Sequence, residues 1–306
     1  MSFNDIADKA LSVHPEASAP SHHSRSGEYE LKEVLVKTVD VSLSFGDKVV
    51  LKPTSIEVRD IVRPGCSQGQ VVGILGPSGI GKTIFSRILT GLQAPTSGEV
   101  LVSDFHKDPT GATLRRVEAG LVGMVAQNYP LFQHRKVLGN LLVALEHTTL
   151  SKKDRIAKAT DYLTMFDLAD KADKYPSQLS GGQRQRVAII RELLCTEHFL
   201  VMDEPFTGLD PNMKEAVCEL INKVALLDER NTIFVVAHDI AALVQIADHL
   251  WLFGRDRDEH GNPIPGATIK TQFDLIDRGL AWHPDIVSTK EFAEFVTEVR
   301  SHFKLL

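Results

Sequence analysis

Apolar and polar positions largely alternate from Val34 to Phe45, with Val34, Val36, Val39, Val41, Leu43 and Phe45 as the apolar members. A period of two predicts a half-buried strand, or two short ones. Gly46-Asp47 then turns the chain towards Val49, Val50 and Leu51, and Ser55 to Val58 offers another strand. Arg63 to Gly69 reads as a loop, and Val71 to Leu75 as an unbroken apolar run. Such a run is the mark of a parallel strand covered on both faces. The period then lengthens: Ile84, Phe85, Ile88, Leu89 and Leu92 recur at helical spacing. A turn at Gln93 to Gly98 precedes a strand at Glu99 to Ser103, and Leu121 to Ala126 is a further short strand ending at Gln127.

From about 128 to 185 the pattern is mostly helical. Leu138, Leu141, Leu142 and Leu145 share one face, and Ile156, Ala159, Leu163 and Phe166 another, with Ser151 and Asp154 as a capping start. Strands return at Phe199 to Met202, before Asp203-Glu204, and at Ile233 to Ala237, before His238-Asp239. Apolar strands that end in polar side chains and alternate with helices predict an α/β fold with a mostly parallel sheet. Its carboxyl edge carries a site.

The two ends differ from this. Residues 1 to about 30 are rich in Ser, His, Pro and Ala and read as a mobile tail. His14, His22 and His23 lie there without the fixed scaffold a metal site needs. Arg255 to Glu259 is a charge run, read as a solvated turn before Gly261-Asn262-Pro263. Ser288 and Glu291 form a capping box, and Phe292, Phe295, Val296, Val299 and Phe303 form an apolar stripe, which predicts a terminal helix packed on the main domain.

Composition narrows the classes. With 306 residues and 43 % hydrophobic residues the chain can bury a large core. A net charge of −6 without a long Lys or Arg run gives no basic track, so no nucleic-acid partner is expected. Cys66, Cys195 and Cys218 form no C-x-x-C pair, as expected of reduced thiols. No signal peptide is read at the N-terminus. Nothing approaches about 18 uninterrupted apolar residues; polar residues break even Phe234 to Phe253.

The chemistry centres on Gly76, Pro77, Ser78, Gly79, Ile80, Gly81, Lys82 and Thr83, which match the phosphate-binding P-loop G-x-x-x-x-G-K-[ST]. A glycine loop between a buried strand and a helix start aims backbone N–H groups at an anion, at the positive end of the helix dipole. Lys82 is expected on the β- and γ-phosphates, and the Thr83 hydroxyl on Mg²⁺. Asp203, closing an apolar strand, is a second Mg²⁺ candidate. Glu204 beside it is placed to orient or deprotonate an attacking water.

Leu179-Ser180-Gly181-Gly182-Gln183 adds a second anion site, in which Ser180 caps a helix and two glycines allow close approach. Here the sequence resembles the ATP-binding-cassette ATPases, the nucleotide-binding subunits of ABC transporters, whose signature motif stands without substitution. The resemblance covers about residues 34 to 253. It implies a P-loop NTPase core, an N-terminal antiparallel β subdomain, and a helical subdomain over about 128–185. A tail at 1–30 and a C-terminal extension at 254–306 flank the ATPase domain at 31–253. Gln127 is similar to the Q-loop glutamine, a Mg²⁺ and water ligand. Thr207-Gly208-Leu209-Asp210 is similar to the D-loop, His238 to the switch histidine, and Phe45 to the A-loop aromatic that stacks on adenine.

The resemblance also implies partners. ATP and Mg²⁺ would sit between one subunit's P-loop and Ser180, Gly181, Gly182, Gln183 and Asp210 of a second copy or paralogue. Separate transmembrane permease subunits would bind this peripheral subunit at the cytoplasmic face of the membrane, with a solute-binding protein as a further partner of an importer. Gln127 to His134 resembles the Q-loop region of importers of amino acids, nitrate and sulfonates, although the family commonly has Pro where Gln133 stands. The loop at Asp60 to Gln68 reads as longer than usual. The alternative is a soluble ABC ATPase working mechanically on proteins or nucleic acids. The single cassette, the lack of coiled-coil or zinc insertions and the acidic balance speak against it. A small-molecule kinase would share only the P-loop.

Overall fold

The computed structural model describes residues 29–62, 68–196, 198–283, 285–304 and 306. Residues 1–28 of the expected tail, with its three histidines, and Cys66 lie outside them, while Glu30 already opens a strand. Among the described residues ten strands form one curled sheet: β1 (Glu30–Phe45), β2 (Lys48–Val62), β3 (Gln70–Leu75), β4 (Ser97–Ser103), β5 (Leu114–Arg116), β6 (Gly123–Val125), β7 (Phe199–Asp203), β8 (Thr232–Ala237), β9 (His249–Arg257) and β10 (Pro263–Asp274). Their order is β5-β4-β1-β2-β10-β9-β3-β8-β7-β6.

The inner half is parallel, with β6, β7, β8, β3 and β9 side by side in one direction. These are the unbroken apolar runs, and their burial explains the pattern. In β3, Val71 and Leu75 belong to one core layer while Val72 and Ile74 belong to the other. β8 repeats this, with Ile233, Val235 and Ala237 against Phe234 and Val236. With both faces covered, neither face needs polar residues.

The outer half is antiparallel: β1 pairs with β2 and β4, and β4 with β5. Alternation in β1 is broken by irregular register near Val34, Val36 and Val41, with Asp40 in the left-handed region at φ 46°. Leu35 and Val36 are therefore both buried, whereas Phe45 at the hairpin end is 54 % exposed. A bulge shifts the phase of the pleat, so a strict period of two cannot survive it.

Helix α1 (Lys82–Leu89) buries Phe85, Ile88 and Leu89 beneath the second layer. Leu92 was expected on that face. The helix ends at Leu89, Gly91 turns at φ 71°, and Leu92 is half exposed. The other layer holds α2 (Val137–Ala144), α3 (Lys152–Met165), α4 (Gly181–Cys195), α5 (Pro211–Ala225), α6 (Ile240–Ile246) and α7 (Lys290–Phe303). Ser151 caps α3 by accepting a hydrogen bond from the Asp154 N–H. Of that helix's expected face, Ala159, Leu163 and Phe166 are buried and Ile156 is exposed.

Three further expectations change. The charge run from Arg255 is not a solvated turn at its start, because β9 extends through Arg257 and pairs antiparallel with β10. Asp256 there is held by Lys52 of β2, at 2.5 Å, and by Lys270 of β10. The turn itself is Asp258 to Asn262. Residue 254 therefore lies inside a strand of the main sheet. At the last helix the cap is Thr289, whose hydroxyl accepts from the Phe292 N–H, while Ser288 ends a short 3-10 turn at Ile286–Ser288. The apolar stripe packs as expected: Phe292, Phe295, Val296 and Val299 are buried in the first layer. The loop expected at Arg63 to Gly69 falls largely outside the described residues, and Asp60 to Val62 belong to β2.

Candidate functional site

Parallel strands bring their carboxyl ends to one edge, and four of them carry the expected chemistry there. β3 runs into Gly76–Thr83, β7 ends in Asp203 before Glu204, β8 is followed by His238, and β6 is followed by Ala126 and Gln127.

The loop after β3 is shaped by its glycines. A Cβ on Gly76 would stand 2.5 Å from the Phe253 carbonyl oxygen, so the backbone can pass β9 only without a side chain. Gly81, at φ 119°, is the left-handed entry to α1. Lys82 is 5 % exposed, and its Nζ donates to the carbonyls of Gly76 at 2.7 Å and Pro77 at 3.1 Å. It also stands 3.4 Å from Glu204 Oε1. Burial pushes the Lys82 ammonium below its ordinary value, against the opposing pull of Glu204 and Asp203.

Asp203 is 7 % exposed, and its Oδ1 has no hydrogen-bond partner. Burial raises this carboxyl above the usual range, with the neighbouring Glu204 charge adding to the rise; the Thr83 hydroxyl and Lys82 oppose it. An orphaned buried carboxylate oxygen beside a hydroxyl fits a hard cation that takes oxygen ligands. Among the described residues no group of three His, Cys, Asp or Glu could cage a metal.

Glu204 is in the left-handed region at φ 53°, where a glutamate costs about 1–3 kcal/mol. Its N–H donates to the Val236 carbonyl at 2.7 Å, tying the strained residue to β8. Its Oε2 lies 2.7 Å from His238 Nδ1 and accepts from the Thr207 hydroxyl at 3.0 Å. A carboxylate held this way has a fixed direction, and His238, half exposed, is its polar neighbour.

Gln127 occupies an exposed turn after β6, at the same edge. Two residues on, Tyr129 stands at φ 47°, and its hydroxyl donates to the Pro205 carbonyl at 3.3 Å. Burial pushes this phenol up to about 12. The contact joins the Gln127 turn to the residue after Glu204. It was invisible in the sequence, since nothing in the spacing of Tyr129 points at Pro205.

Phe45 could have been a core aromatic. Its exposure removes that reading and leaves a ring free for stacking. Its hairpin belongs to the same sheet region as Val50, whose side chain would be 3.5 Å from a Cβ on Gly81.

Ser180 caps α4: its hydroxyl accepts from the Gln183 N–H at 3.2 Å, and Gln183 Oε1 accepts from the Ser180 N–H at 2.9 Å. This closed box fixes the first turn. Gly181 and Gly182 have open space where a Cβ would stand, so a ligand can approach their backbone closely. Asp210 caps α5 through the Met213 N–H at 3.0 Å. Gln183 and Asp210 thus have defined structural duties in the chain, and neither is in hydrogen-bond contact with Lys82, Asp203 or Glu204.

A P-loop sequence, a buried carboxylate and a fixed glutamate at one parallel-sheet edge are the features of a P-loop NTPase fold. Residues 61–207 match the ABC transporter family. The chain is 34 % identical over 232 residues to the arginine transport ATP-binding protein ArtM of Bacillus subtilis, covering 75 % of this chain and 92 % of that protein. It is 32 % identical over 236 residues to the methionine import ATP-binding protein MetN 1 of Lactiplantibacillus plantarum, covering 76 % of this chain and 64 % of that protein. Among solved structures, cbiO1 of Clostridium perfringens, part of the ABC transporter complex cbiONQ, superposes with a TM-score of 0.63. It shares 20 % identity, over 90 % of this chain and 100 % of that one. The chain belongs to the ABC transporter ATP-binding family. It spans nearly all of the arginine transport protein and just under two thirds of the methionine import protein.

Proposed function

We propose that this chain is the ATP-binding and ATP-hydrolysing subunit of an ABC transporter that imports a small polar solute. The observation that carries the proposal is the contact of Glu204 with Lys82 on one side and His238 on the other, at the end of the strand that closes in Asp203. That is the arrangement for binding a triphosphate and activating water at its terminal phosphorus. Import is supported by the relatives, which include methionine import and arginine transport subunits.

Lys82 and the N–H groups of Gly76 to Thr83 would bind the phosphates, and Phe45 would stack on adenine. Thr83 and Asp203 would hold Mg²⁺, with Gln127 as a further ligand; the ion would neutralise charge on the phosphate oxygens. Glu204 would accept a proton from the attacking water, and His238 would hold Glu204 in its rotamer while facing the terminal phosphate.

Ser180, Gly181, Gly182, Gln183 and Asp210 serve the nucleotide of a second copy or paralogue in a head-to-tail dimer. ATP closes this dimer because its terminal phosphate bridges the two surfaces. Hydrolysis removes the bridge, and differential affinity for closed and open forms turns chemistry into motion. No helix among the described residues is long and apolar enough to cross a membrane. Separate permease subunits would supply the pathway, with this chain at the cytoplasmic face and a solute-binding protein delivering substrate.

The test is a pull-down of tagged Glu204→Gln protein from detergent-solubilised native membranes with ATP. Co-elution of a multi-span membrane protein is expected. Recovery of soluble assemblies or ribosomes alone would favour the mechanical ATPase instead.

A further inference from the structure

Glu204 and Lys214 bound an eleven-residue segment that runs from the end of β7 to the first turn of α5, and both its ends are fastened to the same neighbouring pair. At one end Glu204 Oε2 lies 2.7 Å from His238 Nδ1. At the other, Lys214 Nζ donates to Asp239 Oδ2 at 2.5 Å. His238 and Asp239 are consecutive, so one dipeptide after β8 clips both ends of residues 204–214. Asp210, expected to reach the partner's nucleotide, lies inside the clipped segment.

The clip is built rather than casual. Asp239 divides its carboxylate: Oδ1 accepts from the Ala242 N–H at 3.1 Å and caps α6, while Oδ2 takes the Lys214 ammonium. Lys214 is fixed in turn, because its N–H donates to the Asp210 carbonyl at 3.0 Å. Both side chains are partly buried, at 35 % and 22 % exposure. The Lys214 charge, with the Ala242 N–H, holds the Asp239 carboxyl below the usual carboxylate range despite its burial. The charged and titratable groups around this pair include His238, which acts on Asp239, and Glu215, Glu219 and the Cys218 thiol, which feels Asp239 and Lys214. Thr207 hydrogen-bonds Glu204 within the segment and braces its middle.

We infer that Lys214 and Asp239 are positioning residues for hydrolysis, holding Asp210 and His238 in one fixed relation so that the two sites of a dimer report on each other. This inference rests on the ATPase reading above. A surface bridge with no such role would affect stability weakly and turnover not at all. A clip acts on the geometry of the base, its histidine and Asp210, and leaves the P-loop contacts of Gly76 to Thr83 alone.

The experiment measures steady-state ATP hydrolysis and equilibrium ATP binding for the wild-type chain, Lys214→Met, Asp239→Asn, Asp239→Lys, the double variant Lys214→Met with Asp239→Asn, and the reversed pair Lys214→Asp with Asp239→Lys. Asn keeps the α6 cap through its one oxygen, so Asp239→Asn removes the charge and the acceptor of Lys214 but not the cap. Each single variant is expected to lower kcat about tenfold, as for other displaced catalytic groups, with ATP affinity unchanged. The double variant should be no worse than either single, and the reversed pair should regain activity over Asp239→Lys alone. Single variants within twofold of wild type, or losses that multiply in the double variant, would overturn the clip. Absence of hydrolysis by the wild-type chain would instead strike at the ATPase reading itself.

Discussion

Glu204 Oε2 stands 2.7 Å from Nδ1 of His238, although the two residues follow different strands and lie 34 positions apart. The contact exists because β7 and β8 are parallel neighbours and Glu204 adopts φ 53° to turn its side chain along the sheet edge. Glu204→Gln keeps the shape and the Thr207 contact but cannot take a proton. It is expected to retain ATP affinity and lose about a hundred- to ten-thousand-fold in turnover. Parallel hydrolysis and binding assays check this, and turnover near wild type would remove Glu204 as the base.

Lys82 sits at the centre of the phosphate cradle with its charge already partly buried. Lys82→Ala is expected to weaken ATP binding by about one to two orders of magnitude, the size of a charge-assisted hydrogen bond lost in a buried site. Calorimetric titration measures it, and an unchanged affinity would refute the P-loop assignment.

Asp203 gives the site its acid sensitivity. Its carboxyl is raised by burial, so ionising it costs folding stability. That cost is absent below the ordinary carboxylate range and fully present once the pH has risen past the folded value. Mg²⁺ binds the ionised form. Affinity for Mg²⁺ in the presence of ATP is therefore expected to fall as pH is lowered, beginning above the range of an ordinary aspartate. Asp203→Asn should bind Mg²⁺ weakly at every pH and lose this slope. A wild-type affinity flat down to the ordinary aspartate range would contradict the role.

Phe45 separates binding from stability. Its exposed ring contributes little to the core, so Phe45→Ala should leave the melting temperature unchanged. Loss of stacking on a base is worth about 1–3 kcal/mol, so ATP affinity should fall about five- to 150-fold. Equal ATP affinity in Phe45→Ala would send the adenine elsewhere.

The parallel half of the fold was legible because strands buried on both faces must be apolar throughout, and Val71–Leu75, Phe199–Met202 and Ile233–Ala237 are. The site was legible for a related reason: parallel strands end together, so polar residues after such runs converge. The β9–β10 hairpin was not. Arg255, Asp256 and Arg257 read as a turn because the ion-pair partners of Asp256, Lys52 and Lys270, are distant in sequence. Pro263, Pro265 and Gly266 further disguise the start of β10. The misplaced cap at Ser288 is a shift of one residue, since Thr289 offers the same hydroxyl. The strained φ of Glu204 and the tie from Tyr129 to Pro205 carry no sequence signal, because both arise from how neighbouring loops pack.

The last helix tests whether residues beyond 253 belong to the same cooperative unit. Phe295 is buried and stacks edge-on against Phe273 of β10, with ring centroids 5.3 Å apart. Phe295→Ala is expected to destabilise the whole chain by about 3–5 kcal/mol in one denaturant transition. A separate early transition for the C-terminal segment, with the remainder unaffected, would show that it folds on its own.

The most direct measurement is the mass in solution of Glu204→Gln protein with and without ATP and Mg²⁺, by gel filtration with light scattering. Monomer without nucleotide and dimer with it are expected, and Ser180→Arg in the same background should abolish the dimer by blocking the partner's phosphate. A Glu204→Gln protein that binds ATP yet stays monomeric would contradict the shared-nucleotide mechanism.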